Sequence, residues 1–218
     1  MKSSDYETLV SEILACEKCP LSRSRTRAVP GEGSLDSIIM FVGEAPGKSE
    51  DEQGRPFVGA AGKLLNTLLE SIGLERGGVY ITNVVKCRPP ENREPEEPEV
   101  RACNPYLVRQ LNIVNPKIVV ALGRIAGKTL YEMCGLKWHN MRVARREVVK
   151  CRVGEASFKL VATYHPAAAL YNPGLREELE EDFRERIAKV ASQVGGKTKT
   201  LEDFLLRGKK EPTTSQEG

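Results

Sequence analysis

Short apolar strands alternating with helical periods predict an α/β protein, a three-layer α/β/α sandwich around a central four-stranded parallel sheet. Three observations carry this expectation. Four runs are apolar without the in–out alternation of a half-exposed strand: Ile38 to Val42, Val79 to Val85, Lys117 to Leu122 and Phe158 to Tyr164. Segments of helical period lie between them. The runs end at Gly43-Glu44, Asn83, Gly123 and His165, and open parallel sheets bind ligands beyond such carboxyl ends.

The elements follow in order. Residues 5–15 place Tyr6, Leu9, Val10, Ile13 and Leu14 at helical spacing. A cysteine pair and a basic stretch, Arg23, Arg25 and Arg27, come next. The first strand, 38–42, closes at Gly43. Residues 60–72 read as a helix with Leu64, Leu65, Leu68 and Leu69 on one face, ended by Gly73. The second strand, 79–85, leads into a loop that Pro89, Pro90, Pro95 and Pro98 keep irregular. A helix over 97–114 carries Cys103. A third strand (117–122), a helix (124–133), a peripheral strand or hairpin (142–152), a fourth strand (158–164) and a charged amphipathic helix (175–190) complete one domain, 1–194. The polar segment 195–218 reads as a mobile tail.

Composition narrows the function classes. With 40% hydrophobic and 29% charged residues over 218 positions, the chain has the make-up of a soluble domain and enough apolar material for a core. No apolar run approaches the roughly 20 residues that span a bilayer. The first residues, Met-Lys-Ser-Ser-Asp-Tyr-Glu-Thr, lack the apolar core of a signal peptide. A cytoplasmic, nucleoid-associated protein is expected. Its net charge of +3 permits nucleic acid as a partner without demanding it. Only four glutamines occur, which leans toward a thermophilic source.

Six cysteines without a secretion signal point to a compartment where disulfides are unusual. Cys16 and Cys19 form a C-x2-C pair, and Cys87 and Cys103 form a second pair. Four thiolates in two local pairs can close one metal site, and Cys16–Cys19 before Pro20 and Cys87 before Arg-Pro-Pro lie where the chain leaves regular structure. The alternative is four buried thiols acting as small apolar groups. Cys134 and Cys151 read as structural residues outside this set.

Gly123-Arg-Ile-Ala-Gly127-Lys128-Thr129 imitates a phosphate-binding loop, but three residues rather than four separate the glycine from Gly-Lys-Thr. Nucleotide hydrolysis is therefore not expected. The chemistry-bearing residues stand elsewhere. Gly43-Glu44-Ala45-Pro46-Gly47 forces a tight backbone whose N–H groups can face a ligand, and Glu50 follows. Phe57, between Pro56 and Gly59, is a candidate for stacking. Asn83 can pair with a base edge, and His165-Pro166 places an ionisable ring at a strand end.

Taken together in this order, GEAPG, GRPFVGAAG, TNVVKCRPP, HPAAAL and the four-cysteine pattern resemble the family 4 uracil-DNA glycosylases, the iron–sulfur members of their superfamily. The resemblance covers roughly residues 5–192. It implies a 4Fe–4S cluster on Cys16, Cys19, Cys87 and Cys103, where the spacing alone fits zinc or iron equally. It implies an enzyme that flips uracil out of single- or double-stranded DNA and hydrolyses its N-glycosidic bond, acting as a monomer. Phe57 would then stack on the flipped ring. Asn83 would read its N3 and O4 edge, and Gly43, Glu44 and Ala45 would contact the base. His165 would donate to O2, Glu44 would position the attacking water, and Glu50 would crowd the C5 methyl of thymine. Leu170, or the loop 167–169, would wedge into the vacated stack. Arg23, Arg25, Arg27, Arg145, Arg146 and Lys150 are candidates for phosphate contact.

Two readings compete with the enzyme: a non-catalytic nucleic-acid-binding module with a four-cysteine metal site, and a small iron–sulfur redox protein. Neither needs Glu44, Asn83 and His165 at separate strand ends. In the tail, Leu201, Phe204 and Leu205 would share one face of a helical turn and resemble the peptide that repair enzymes dock on a sliding clamp, with Thr198 in place of the usual Gln.

Overall fold

The computed structural model describes residues 2–194. The tail segment with Leu201, Phe204 and Leu205 lies outside the described residues. The N-terminal helix α1 (Lys2–Leu14) buries Leu9 and Ile13 and leads through the first cysteine pair to the short α2 (Leu21–Ser24). Strands β1 (Glu32–Gly33) and β2 (Ile39–Gly43) follow, then α3 (Lys48–Gln53) and α4 (Ala60–Ser71). Next come β3 (Tyr80–Asn83), α5 (Glu97–Val114), β4 (Ile118–Leu122) and α6 (Arg124–Met133). After the single turn α7 (Met141–Ala144) come β5 (Val148–Val153), β6 (Ala156–Thr163) and another short turn, α8 (Pro166–Ala169). The C-terminal helical stretch is α9 (Pro173–Glu181), a π-helical turn (Asp182–Ile187) and α10 (Ala188–Val194).

The α/β class and the three layers hold, but the sheet has six strands, in the order β1-β3-β2-β4-β6-β5. Strands β3, β2, β4 and β6 form the expected parallel core. The two additions are antiparallel edges, β1 on β3 and β5 on β6. Two-residue β1 carries no apolar run that could announce it. Strand β5 alternates between exposed and buried residues because only one face is covered, and Gly154, at a φ of 59°, turns the chain from β5 into β6. The last helix is not a single regular element: its ladder widens at Asp182, whose buried carboxylate accepts from Thr163 and Arg145.

Alternation along the core strands sends side chains to both helical layers. Met40 and Val42 of β2 pack with Leu9, Leu107, Leu111 and Leu130 on one side. Ile39 and Phe41 pack with Leu65, Leu68, Leu69, Phe183 and Ile187 on the other. Burying each such side chain contributes about 1.5–3 kcal/mol, which explains why the sheet centre is apolar throughout. From β2 the chain moves to β3 on one side and later to β4 on the other. The carboxyl ends of β2 and β4 therefore flank a topological switch point, the place where such sheets hold ligands.

Cys134 and Cys151, read from sequence as separate structural cysteines, are joined in a disulfide with their Cα atoms 5.4 Å apart. It fastens the end of α6 to the edge strand β5, a contact that exists only once β5 has folded back along β6. Among the described residues, no helix is long and apolar enough to cross a membrane.

Candidate active site

Parallel pairing fixes which strand ends meet. Gly43 and Asn83 are register partners at the ends of β2 and β3. Past these ends the ladder continues, with Val84 N–H donating to the Gly43 carbonyl and Val85 N–H to that of Glu44. On the other side, Gly123 N–H donates to the Thr163 carbonyl, which places His165 two residues beyond the end of β6. A cleft of about 1010 Å3, its open mouth included, forms above these ends. Glu44, Ala45, Glu50, Phe57, Asn83 and His165 all line it, so the structure gathers these candidates in one place.

Glycines let the walls close. A Cβ on Gly43 would stand 2.4 Å from Asn83 Oδ1 and 2.6 Å from Phe57 Cζ, so no larger residue fits without moving both. Phe57 itself has a φ of 50°, an unusual conformation for a bulky residue, and Gly62 lies against its carbonyl with no room for a Cβ. The buried Phe57 ring stacks on the His165 imidazole at 5.5 Å between centroids. Asn83 is 1% exposed, and among the described residues its Oδ1 has no hydrogen-bond partner. An unpaired buried amide oxygen costs about 1–3 kcal/mol, and a ligand N–H would satisfy it.

The two titratable groups are shifted in opposite directions. Burial pushes the Glu44 carboxyl up to about 7, Glu94 adds to the rise, and Arg124 opposes it. Burial pushes the His165 imidazole down to about 4 against the charge of Glu50. His165 caps α8, and its Nδ1 accepts from Ala167 N–H at 3.1 Å. That bond assigns the remaining ring proton of the neutral imidazole to Nε2.

Glu50 stands in the cleft wall but is already engaged. Its carboxylate accepts from Gly47 N–H at 3.1 Å and from Val58 and Gly59 N–H at 2.9 Å. It thereby ties the loop after β2 to the Phe57 loop across the N-termini of α3 and α4. Its neighbour Asp51, buried, accepts from Thr26 and Arg27 N–H and pins the basic stretch beside α3.

The charged candidates separate. Arg23 and Arg27 are exposed. Arg25 instead turns inward: Nη1 lies 3.0 Å from Cys87 Sγ, and Nη2 donates to the Leu14 carbonyl. Arg145 is engaged as well, its side chain 13% exposed and paired with Asp182 and Glu178. Leu170 is half-buried and packs against the second core layer, whereas the adjacent Tyr171 is 90% exposed. The sequence offered no signal for Tyr171 beyond its place after HPAAAL.

All four free cysteines line one small cavity, about 280 Å3 with its open mouth included, between α1, the turn after β3, and α5. Among the described residues no trio of His, Cys, Asp or Glu closes on a single ion. Burial pushes the Cys103 thiol up to about 11, and burial also raises Cys87 in spite of Arg25. Any metal there must displace protons, as metal binding to thiols generally does. Lys86 reaches this cavity too, fully buried. Its signal in the sequence is a lysine directly after the apolar pair Val84 and Val85.

The fold is an open α/β sheet whose switch-point cleft gathers an unpaired amide, a carboxyl that burial raises to about 7 and an imidazole that burial keeps neutral. Residues 30–191 match the family model described as the uracil DNA glycosylase superfamily. The chain is 51% identical over 93% of its length to a type-4 uracil-DNA glycosylase of Sulfurisphaera tokodaii, covering 91% of that protein. It is 47% identical over 91% of its length to the Archaeoglobus fulgidus protein of that name, covering 98% of it. It is 46% identical over 92% of its length to the Saccharolobus solfataricus one, also covering 92%. The chain belongs to the type-4 family of the uracil DNA glycosylase superfamily.

Proposed function

We propose that this chain removes uracil from DNA by hydrolysing its N-glycosidic bond and leaves an abasic site. The observation that carries this reading is Asn83, buried at the end of β3 with an unpaired amide oxygen beside the Phe57 ring. Uracil presents an N3–H donor and an O4 acceptor to such an amide. Cytosine presents the reverse pattern, so a rigidly held amide discriminates between them. Uracil must first leave the duplex stack, which costs a few kcal/mol. Stacking on Phe57 returns about 1–3 kcal/mol.

Bond breaking builds negative charge on the departing uracil and positive charge on the sugar. His165, neutral and protonated on Nε2, is suited to donate to O2 without first gaining a proton. A donor of this kind typically contributes 100-fold or more, about 3–4 kcal/mol. Glu44, ionised above about pH 7, orients a water and offsets the sugar's charge. Arg23 and Arg27 remain available for phosphates, and Tyr171 is exposed where Leu170 is half-buried.

The four cysteines fit a 4Fe–4S cluster. They share one cavity, and together they supply the four thiolate donors that such a cluster takes. When bound, a cluster cross-links the end of α1, the turn after β3, and α5. Docking of Leu201, Phe204 and Leu205 on a sliding clamp rests on the sequence; deleting residues 196–218 would abolish clamp capture and leave uracil release from a short oligonucleotide intact.

The deciding experiment is release of free uracil from a uracil-containing oligonucleotide by the iron-loaded protein under single-turnover conditions. Release with an intact sugar–phosphate backbone is expected. Binding to that oligonucleotide with no uracil released would overturn the enzyme reading.

A further inference from the structure

Lys86 is a cation where cations are rare, 1% exposed inside the first core layer. Its ammonium donates to Thr82 Oγ1 at 2.8 Å, to Gln110 Oε1 at 2.7 Å and to the Asn83 main-chain carbonyl. These three acceptors use all three N–H groups. All are neutral, and a buried ion facing only neutral dipoles carries a desolvation cost of several kcal/mol.

The nearest source of negative charge is the cysteine centre. The main-chain N–H of Lys86 points at Cys103 Sγ at 3.3 Å, and the next residue is Cys87. Four thiolates around a dipositive metal core leave about two net negative charges. Arg25 faces the same centre through Cys87. Lys18 also lines the cavity, but it is exposed, with its ammonium 4.9 Å above the Tyr106 ring. Solvent screens its charge far more than that of Lys86. One five-residue turn, Asn83 to Cys87, thus joins the amide in the cleft to a sulfur of the centre.

We infer that Lys86 is a positioning residue that couples the two sites: the negative charge of the metal-loaded cysteine centre holds its ammonium in the core, and the ammonium holds the Asn83 main chain so that the amide faces the base. The inference rests on the proposed uracil chemistry and on a metal bound by the four cysteines. The turn transmits the coupling because Val84 and Val85 are bonded to the Gly43 and Glu44 carbonyls, and Val29 N–H to that of Lys86. A shift of Lys86 therefore moves the floor of the cleft.

The test uses the iron-loaded full chain and two readouts, the reduction potential of the centre and the single-turnover rate of uracil release. Lys86→Met keeps the length of the side chain and removes the charge. It should make the potential more negative, since a nearby positive charge favours the added electron. It should also slow release at saturating DNA by at least ~10-fold with DNA affinity little changed, the pattern of a misplaced reacting group. Arg25→Met should shift the potential in the same direction. Thr82→Val keeps the charge and removes one acceptor; it should slow release without moving the potential, and it tests the positioning half should Lys86→Met fail to fold. A shifted potential with wild-type release in Lys86→Met would overturn the coupling, as would slowed release with an unshifted potential. Wild-type protein that holds no iron or releases no uracil would instead defeat the underlying functional reading, before any variant is compared.

Discussion

Gly43 and Asn83 stand side by side at the ends of adjacent parallel strands, so close that a single methyl on Gly43 would lie 2.4 Å from the Asn83 amide oxygen. The missing side chain is what lets the amide and the Phe57 ring meet. Gly43→Ala should therefore slow single-turnover uracil release by ~100-fold, the usual result of displacing a catalytic geometry by about 1 Å. Thermal unfolding should shift far less. Release within a few-fold of wild type would show that the amide does not read the base from this position.

Glu44 and His165 should give the rate a distinctive pH dependence. The Glu44 carboxyl is raised to about 7 by burial, so its working ionised form appears as pH rises through 7. His165 is depressed to about 4, so its neutral form persists down to that value. Uracil release should climb with an apparent pKa near 7 and show no limb near the ordinary imidazole value. Glu44→Gln should remove the rise, and Glu44→Ala and His165→Ala should each cost at least ~100-fold.

The same shifts make opposing contributions to stability. From its ordinary value of 4.5 up to about 7, Glu44 holds more proton in the folded state than in the unfolded one, so its contribution weakens as pH rises through that window. His165 binds less proton when folded between about 4 and 6.5, so its contribution weakens as pH falls through that window. Denaturant midpoints for Glu44→Gln should be less dependent on pH between 4.5 and 7 in the falling direction, and those for His165→Ala less dependent between 4 and 6.5 in the rising one.

Glu50 is expected to act as a clamp. Glu50→Ala leaves three backbone N–H groups without their acceptor, each worth about 1–3 kcal/mol where water cannot replace it. The variant should melt at lower temperature and release uracil more slowly, without gaining thymine release. A gain in thymine release with unchanged melting would instead show that Glu50 acts as a wall against the C5 methyl.

Cys16, Cys19, Cys87 and Cys103 should behave as one unit. Alanine at any of them should remove iron and bleach the absorbance at about 400 nm that marks an iron–sulfur cluster. Cys134→Ser and Cys151→Ser should keep the colour and lose about 2–4 kcal/mol of stability when compared with the oxidised wild type, because a cross-link closing a loop of this size is gone. Full iron content in a variant without Cys87 would refute the ligand set.

Sequence alone determined the α/β class, the four parallel core strands and the strand ends that meet at the cleft. Four uninterrupted apolar runs need cover on both faces, which only helices above and below a parallel sheet provide, and parallel strands bring Gly43, Asn83 and His165 to one edge. What remained was decided by contacts between residues far apart in the chain. Arg25 meets Cys87 across 62 positions, and Arg145 meets Asp182 across 37, so two arginines that look free for phosphate are paired inside the molecule. Glu50 finds its donors only after the Phe57 loop has folded over it. Cys134 finds Cys151 only after β5 has turned back along β6. Local pattern encodes which face of an element is buried, but the partner of a charge or a thiol depends on which elements pack together, and that is fixed by the closing of the whole core.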